Sequence, residues 1–188
     1  REIFESDRDR VRFVHDLWEF NDRKPANNIE RILTSRGLAD KMVEDRHRPF
    51  ILRKRVKLVE ILALCLMPNH FHLMLRQIVD DGIPTFMRKL GTGYVNAFNL
   101  VRERVGPLFQ GVYKFKHINR ESHFLYLPHY IHLNPVDLAP RASHEETLNF
   151  VDSYRWSSLQ DYCGKKNFPS IIEPDFIART FRSSDAYR

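Results

Sequence analysis

Cysteine is scarce in this chain of 188 residues, which contains two, Cys65 and Cys163. Two thiols cannot build a disulfide-rich scaffold, so a hydrophobic core has to stabilise the fold, and we expect both cysteines to be reduced. Long apolar runs are missing too, since none reaches the roughly 18 residues that a transmembrane helix needs. The opening residues do not resemble a signal peptide. We therefore expect a cytoplasmic protein without a membrane partner.

Glycine-rich phosphate loops are also missing. Gly91 and Gly93 fit neither the Gly-x-Gly-x-x-Gly spacing of dinucleotide-binding loops nor the spacing of a Walker loop. We expect these glycines instead to let a helix pack closely against a sheet. No Gly/Ser-rich or Pro-rich linker divides the chain. The sequence predicts one domain over residues 1–162, with a surface insertion around 21–57 and a C-terminal tail over 163–188.

Positive charge exceeds negative charge, with 30 Lys and Arg against 24 Asp and Glu and a formal net charge of +6. This excess favours a polyanionic partner such as nucleic acid, although many basic proteins bind no anion. The densest basic cluster surrounds a short apolar stretch and consists of Arg46, Arg48, Arg53, Lys54, Arg55 and Lys57. It is either a solvated loop or a DNA-contacting surface, for which Arg53, Lys54 and Arg55 are the candidates.

Three other segments have clear patterns. Residues 4–20 begin with a Ser-Asp capping signal and predict a helix whose apolar face contains Val11, Val14, Leu17 and Trp18. Residues 82–106 predict a second amphipathic helix, with Phe86, Leu90, Tyr94, Val95, Phe98 and Val101 at helical spacing. Residues 107–118, PLFQGVYKFKHI, predict a strand. Its Lys114 and Lys116 suit a groove that binds bases and phosphates, or simply alternate along a half-exposed strand.

Two histidines lie one residue apart in residues 67–75, MPNHFHLML. Side chains two apart on a strand share a face, so His70 and His72 project together. Residues 57–66, KLVEILALCL, supply a second apolar run, and together the two runs predict a hairpin with its turn at residues 67–69. Phe71, Leu73 and Leu75 then face a core. A histidine pair of this kind is half of a divalent-metal site, or simply two hydrogen-bonded or exposed histidines.

A second group of polar residues lies in residues 119–136, NRESHFLYLPHYIHLNPV, which predict a helix capped by Asn119 and closed by Pro135. Tyr130 and Asn134 are one turn apart on one face, so Asn134 could offer an oxygen to a metal held by the histidines. A tyrosine beside a divalent cation is a plausible phosphoryl nucleophile. Tyr130 could equally be a packed tyrosine, and Tyr126 lies on the same face. Pro128 should kink or restart the helix.

Four motifs together, LMPNHFHLML, LFQGVYK, YIHLNPV and YRWSS, occur in an order that resembles the single-tyrosine HUH transposases, and in particular the REP-associated tyrosine transposases and their insertion-sequence relatives. The resemblance covers about residues 60 to 160. It implies that His70 and His72 hold Mg²⁺ or Mn²⁺ with Asn134 as third ligand. It also implies that Tyr130 attacks single-stranded DNA and forms a 5′-phosphotyrosine.

The same resemblance implies an α+β fold of the HUH nuclease type, in which helices cover one face of a ferredoxin-like antiparallel sheet. The family's first strand precedes residues matching REIF and is therefore missing from the chain as given. Val112 stands where an arginine or polar residue is expected, which puts one DNA contact in doubt. Trp156 is either a core residue or a base-stacking one.

The expected function is metal-dependent nicking and rejoining of single-stranded DNA, at DNA hairpins. Two alternatives remain open: a hairpin-binding protein of this fold that no longer cuts, and an unrelated metal-dependent hydrolase in which Tyr130 is structural. The sequence does not decide between a monomer and a homodimer.

Overall fold

The computed structural model describes residues 1–24, 55–139, 143–181 and 187. This part of the chain is α+β, with a two-stranded antiparallel sheet surrounded by helices. In chain order the elements are α1 (Asp7–Glu19), β1 (Val59–Met67), β2 (His70–Gln77), α2 (Gly82–Val101), α3 (Glu121–Leu133), a 3-10 helix (Asn134–Leu138), α4 (His144–Ser153), α5 (Leu159–Tyr162) and α6 (Pro174–Thr180). Within the described residues, no helix is both long enough and apolar enough to cross a membrane.

The predicted hairpin is confirmed: β1 and β2 pair in an antiparallel register, and Pro68 and Asn69 form the turn. The register is irregular between Ile61 and Ala63, where β1 has one extra residue. Because side chains alternate between faces, one extra residue moves the following side chains to the opposite face. Buried side chains of β1 alternate between two cores, one on each face of the hairpin, and the extra residue places Leu64 and Leu66 in the same core as Val59 and Ile61.

The first core lies between the hairpin and the helices α1 and α2. Phe71, Leu73 and Leu75 of β2 pack against it, as expected from their alternation with the histidines. The ring of Phe71 lies with its centroid 4.8 Å from that of Phe13 on α1. The helix α2 contributes the predicted apolar positions, which are Phe86, Leu90, Tyr94 and Phe98, whereas Val101 is exposed.

The helix α1 has the predicted cap, and its apolar face agrees with the prediction in part. The Ser6 side chain accepts from the backbone of Asp9, and the Asp9 side chain accepts from the backbone of Ser6, which makes a complete capping box. Phe13 and Leu17 are fully buried, whereas Val11 is 51% exposed. Leu17 is therefore buried as predicted and Val14 packs against the first core, whereas Phe13, which has the larger apolar surface, is buried instead of Val11.

The second core lies on the opposite face of the hairpin and packs against α3. It includes Cys65 of β1, Met74 of β2 and Ile131 of α3. The expectation that helices cover one face of the sheet is therefore wrong for the described structure, in which helices pack on both faces. His70 and His72 project from β2 on the α3 face, since they pair with Met67 and Cys65 of the second core.

Residues far along the chain pair with the outer edge of β1. The backbone nitrogen of Leu66 donates to the carbonyl of Trp156 at 2.8 Å, and that of Ser158 donates to the carbonyl of Leu64 at 3.0 Å. Ile172 adds a parallel bridge to Ile61. These contacts satisfy backbone groups of a nearly wholly buried strand. Trp156 is 7% exposed and packs in the first core, which favours the core interpretation over base stacking.

The predicted third strand does not form: in the described structure residues 107–118 are not part of any strand. Leu108 is buried and Phe109 is partly buried against the first core, and Ile118 packs against the second. Between these anchors the chain is mostly exposed. A β-prone sequence forms a strand only where a partner strand satisfies its backbone, and propensity alone cannot supply that partner.

The helix α3 differs from its prediction at two points. It begins at Glu121 with Arg120 as the N-cap, so Asn119 does not cap it. Pro128 lies inside the helix, which continues through it instead of restarting. Pro128 lies beyond the first turn, where a helix tolerates proline best, and it is buried.

Only the first residues and the last residues of the predicted surface insertion belong to the described part of the chain. The surface insertion begins with Asn21 and Asp22, which are buried, and Asn21 hydrogen-bonds the backbone of Leu58 and Val59. Residues 25–54 lie outside the described residues.

A Cβ at Gly93 would overlap the ring of Phe20, so this glycine permits a close contact, although with the end of α1 and not with the sheet.

Candidate metal and nucleophile site

The two imidazoles of β2 converge on one point. Nε2 of His70 lies 3.1 Å from Nε2 of His72, and the ring planes are perpendicular, at 88°. Two ligands at right angles and about 2.1 Å from an octahedral cation are separated by about 3.0 Å. The observed separation therefore matches the spacing of two neighbouring ligands of such a cation.

His72 is half-buried beneath α3. Burial lowers the pKa of its imidazole, and the neighbouring His70 lowers that pKa further, while a side-chain hydrogen bond with Asn134 opposes both effects. The net shift favours the neutral ring at neutral pH. Neutral imidazole is the form that binds a metal.

Asn134 lies at the end of α3 and has two functions in this arrangement. Its Nδ2 donates to the carbonyl of Tyr130 at 2.8 Å and to that of Ile131 at 3.4 Å, so it satisfies carbonyls in the last turn of the helix. Because the amide nitrogen is used there, the amide oxygen is the end left for His72 or a cation. Within the described residues no third histidine, cysteine or carboxylate completes a metal cluster. An amide oxygen from Asn134 would be the third protein ligand.

Tyr130 lies beside the histidine pair. Its ring centroid is 6.0 Å from that of His72, with the planes at 80°, and the residue is 48% exposed. Tyr126 lies one turn earlier on α3, with its ring centroid 6.5 Å from that of Tyr130, and is 62% exposed. Of the two candidate nucleophiles, Tyr130 is therefore the one whose ring packs against His72. A half-exposed ring is also not a fully packed core tyrosine.

The structure thus brings together His70 and His72 of β2, Tyr130 of α3 and Asn134 at the start of the 3-10 helix, which span 65 positions of the sequence. Beside His70 runs an open groove of about 490 Å³. Its lining includes Pro68, Asn69, His70 and Asp137, together with residues 1 and 2. The groove is open to solvent beside His70.

The basic candidates lie in different surroundings. Arg53 and Lys54 are outside the described residues. The guanidinium of Arg55 stacks 3.7 Å from the Trp18 ring centroid, and it hydrogen-bonds the Trp18 carbonyl and approaches Asp22. Arg55 thus makes its main contacts within the protein. Lys114 and Lys116 are exposed in the segment between the two cores.

Two residues of interest were missed by sequence reasoning. Oδ1 of Asn69 lies 2.7 Å from Nδ1 of His70, a contact whose only sequence signal is that the two residues are adjacent at a turn. Phe115, between Lys114 and Lys116, is 82% exposed. The expected strand would have half-buried this ring, and only the absence of that strand from the described structure reveals its exposure.

No family model, curated protein or solved structure matches this chain.

Proposed function

We propose that this chain is a metal-dependent single-stranded DNA transferase, in which Tyr130 is the nucleophile and His70, His72 and Asn134 hold Mg²⁺ or Mn²⁺. It would be a single-tyrosine transposase of the HUH type, and the hairpin would be part of a ferredoxin-like sheet. The observation that carries the proposal is the position of the Tyr130 ring against His72, with Asn134 hydrogen-bonded to the Tyr130 backbone.

The chemistry assigned to each residue follows from its position. A divalent cation bound there would polarise a phosphate oxygen and stabilise the charge that develops on it. Tyr130 approaches from the neighbouring helix, and its half-exposed ring can reach an extended strand in solvent. The tyrosine oxygen forms a bond to phosphorus as the bond from phosphorus to the 3′ oxygen breaks. The phenol proton is released to water, and the leaving 3′ oxygen becomes a hydroxyl.

Strand transfer is the same step in reverse with a new acceptor. A 3′-hydroxyl attacks the phosphotyrosine, a phosphodiester forms, and Tyr130 recovers its proton. The bond energy of the first phosphodiester is conserved in the protein-DNA linkage, so rejoining needs no nucleotide cofactor. Rejoining without a nucleotide cofactor is consistent with the sequence, which contains neither a Walker loop nor a dinucleotide-binding loop.

The DNA partner is assigned to the exposed basic segment and to the groove beside His70. Lys114 and Lys116 are exposed and flank an exposed aromatic ring, Phe115. Residues 105–120 contain no Asp or Glu, so no carboxylate of this segment competes with phosphate for the lysines. Lysines on phosphates and aromatic rings on bases are the usual components of single-strand binding.

The decisive experiment incubates the protein with a 5′-labelled and a 3′-labelled single-stranded DNA hairpin in Mg²⁺ and resolves the products on a denaturing gel. A protein-DNA adduct that keeps the 3′ label supports the proposal, because that fragment carries the phosphate that becomes 5′-terminal. Tyr130→Phe removes one oxygen and little volume, so the variant should fold but form no adduct. Tyr126→Phe is the matched control on the same helix and should form it.

Each alternative has its own outcome in this assay. Tight binding of hairpin DNA without any cleavage would identify a binding protein that has lost activity. Cleavage without an adduct would identify a hydrolase in which Tyr130 is structural. An adduct that persists in Tyr130→Phe and disappears in Tyr126→Phe would assign the nucleophile to Tyr126.

A further inference from the structure

We propose that Asn69 is a positioning residue for the metal site: its side-chain oxygen fixes the proton of His70 on Nδ1 and leaves Nε2 bare toward His72. This inference rests on the proposed function, because a bare Nε2 matters for a cation held between the two histidines. Asn69 would not touch the cation or the DNA and would act through the imidazole of His70.

The hydrogen bond between the two neighbours determines the tautomer. Oδ1 of Asn69 lies 2.7 Å from Nδ1 of His70. An amide oxygen can only accept a hydrogen bond, so Nδ1 of His70 has to be the donor. A neutral imidazole has a single N–H, and Nε2 of His70 is consequently a lone-pair acceptor. Free histidine favours the opposite tautomer, so the turn imposes a form that the side chain does not prefer on its own.

The contact between the two rings then has a defined direction. Nε2 of His70 has no proton to give, so the 3.1 Å contact requires Nε2 of His72 to donate. A cation held by both nitrogens would take the place of this one proton. Histidines that bind metals usually donate their other ring N–H to a carboxylate, carbonyl or water, which sets the tautomer and the ring orientation. Asn69 supplies that outer contact from within the same turn.

The turn itself is anchored in the first core, which gives Asn69 a fixed backbone. The carbonyl of Pro68 accepts from the backbone nitrogens of Ile3 and Phe4 at 2.8 and 3.0 Å. Phe4 is 1% exposed and packs edge-on against Phe13, with ring centroids 5.1 Å apart. The amide of Asn69 is thereby held beside His70 by packing that involves neither residue.

The test compares Asn69→Ala and Asn69→Asp with wild type in two measurements. The first is the ¹⁵N NMR spectrum of the metal-free protein, in which the nitrogen shifts of His70 report its tautomer. The second is Mn²⁺ affinity by calorimetric titration. Wild type and Asn69→Asp should both have His70 protonated on Nδ1, because a carboxylate accepts the same hydrogen bond. Asn69→Ala should shift toward the Nε2–H tautomer and bind Mn²⁺ about 10- to 100-fold more weakly.

Asn96→Ala is the matched control, because it makes the same substitution at an exposed position of α2, which packs on the opposite face of the hairpin from the two histidines. It should reproduce both wild-type measurements. An Asn69→Ala protein with unchanged tautomer and affinity would overturn the proposal, as would a tenfold loss of affinity in Asn69→Asp. Should Asn69→Ala fail to fold, Asn69→Asp and the wild-type tautomer still decide. Failure of wild type to bind Mn²⁺ would refute the proposed function, while the NMR comparison would still test Asn69.

Discussion

The side-chain nitrogen of Asn134 donates to the carbonyl oxygen of Tyr130 at 2.8 Å. One amide group thus connects the backbone of the proposed nucleophile to the side of the site where His72 lies. The nitrogen end belongs to the helix, because it satisfies a carbonyl in the last turn of α3. The oxygen end is left for the proposed cation. Because the proposed ligand, Asn134, and the proposed nucleophile, Tyr130, are attached to one helix end, the distance between them is fixed.

The two ends of this amide can be separated by substitution. Asn134→Ala removes both, and we expect a loss of at least about 10-fold in Mn²⁺ affinity together with loss of the adduct. Asn134→Asp keeps an oxygen but cannot donate to Tyr130, so Mn²⁺ affinity should be retained while adduct formation slows. Calorimetric titration and the gel assay measure the two effects independently. Equal losses of affinity in both variants would mean that the oxygen of Asn134 is not a ligand.

Removal of either imidazole should abolish cleavage and leave most DNA binding intact. His70→Ala and His72→Ala each remove one of two ligands that converge within 3.1 Å, whereas contacts with phosphates elsewhere supply affinity. Chelation of the metal by EDTA should have the same effect on wild type. His123→Ala, an exposed position on α3, is the matched control and should cleave normally. Undiminished cleavage in EDTA would remove the metal from the mechanism.

The local features of the site were predictable from sequence. Alternation along β2 predicted that His70 and His72 share a face, and helical spacing predicted that Tyr130 and Asn134 do as well. These are properties of neighbours in sequence, whose relative positions are set by one backbone conformation. The ferredoxin-like arrangement stays a prediction, since the described sheet has two strands.

Contacts between distant segments were not predictable in this way. The pairing of Leu66 with Trp156 joins residues 90 positions apart, and no periodicity reports it. The extra residue of β1 near Leu62 is invisible in a continuous apolar run, because every side chain there is buried on one face or the other. The strand predicted over residues 107–118 failed for a related reason, since its formation depends on a partner elsewhere in the chain.

DNA binding should depend on the exposed segment between the two cores. Lys114→Glu with Lys116→Glu should weaken binding of a single-stranded hairpin and flatten its salt dependence, because each phosphate contact contributes about −0.7 to the log-log slope on single strands. Phe115→Ala should weaken binding by about 1–3 kcal/mol if a base stacks on the ring, with the salt slope unchanged. Fluorescence anisotropy at several salt concentrations measures both quantities.

Val105→Ala serves as the control for these DNA-binding variants, since Val105 is 94% exposed and has neither charge nor an aromatic ring. Its affinity and salt slope should equal those of wild type. Wild-type affinity in the double lysine variant would assign DNA binding to another surface.

Acid should destabilise this fold through His132, which is 1% exposed. Its ring nitrogens contact the hydroxyl of Tyr187 at 2.5 Å and Oγ of Ser158 at 2.7 Å. Burial, with a smaller contribution from the charge of His129, lowers the pKa of His132 to about 3. In the unfolded chain the pKa returns to about 6.5. The unfolded state therefore binds a proton between these two values, and the folded state does not.

Acid therefore lowers the free energy of unfolding. The stabilisation from a neutral His132 is fully present above about pH 6.5 and is lost as the pH falls toward 3, by up to about 1.4 kcal/mol per pH unit. Urea unfolding at pH 7.5, 6 and 5 measures this slope. His132→Gln should be less stable at pH 7.5 by about 1–3 kcal/mol, since buried partners lose hydrogen bonds, but its stability should depend less on pH. His117→Gln, at an exposed position, should keep the wild-type slope. Identical slopes for wild type and His132→Gln would show that His132 is not the group that acid titrates.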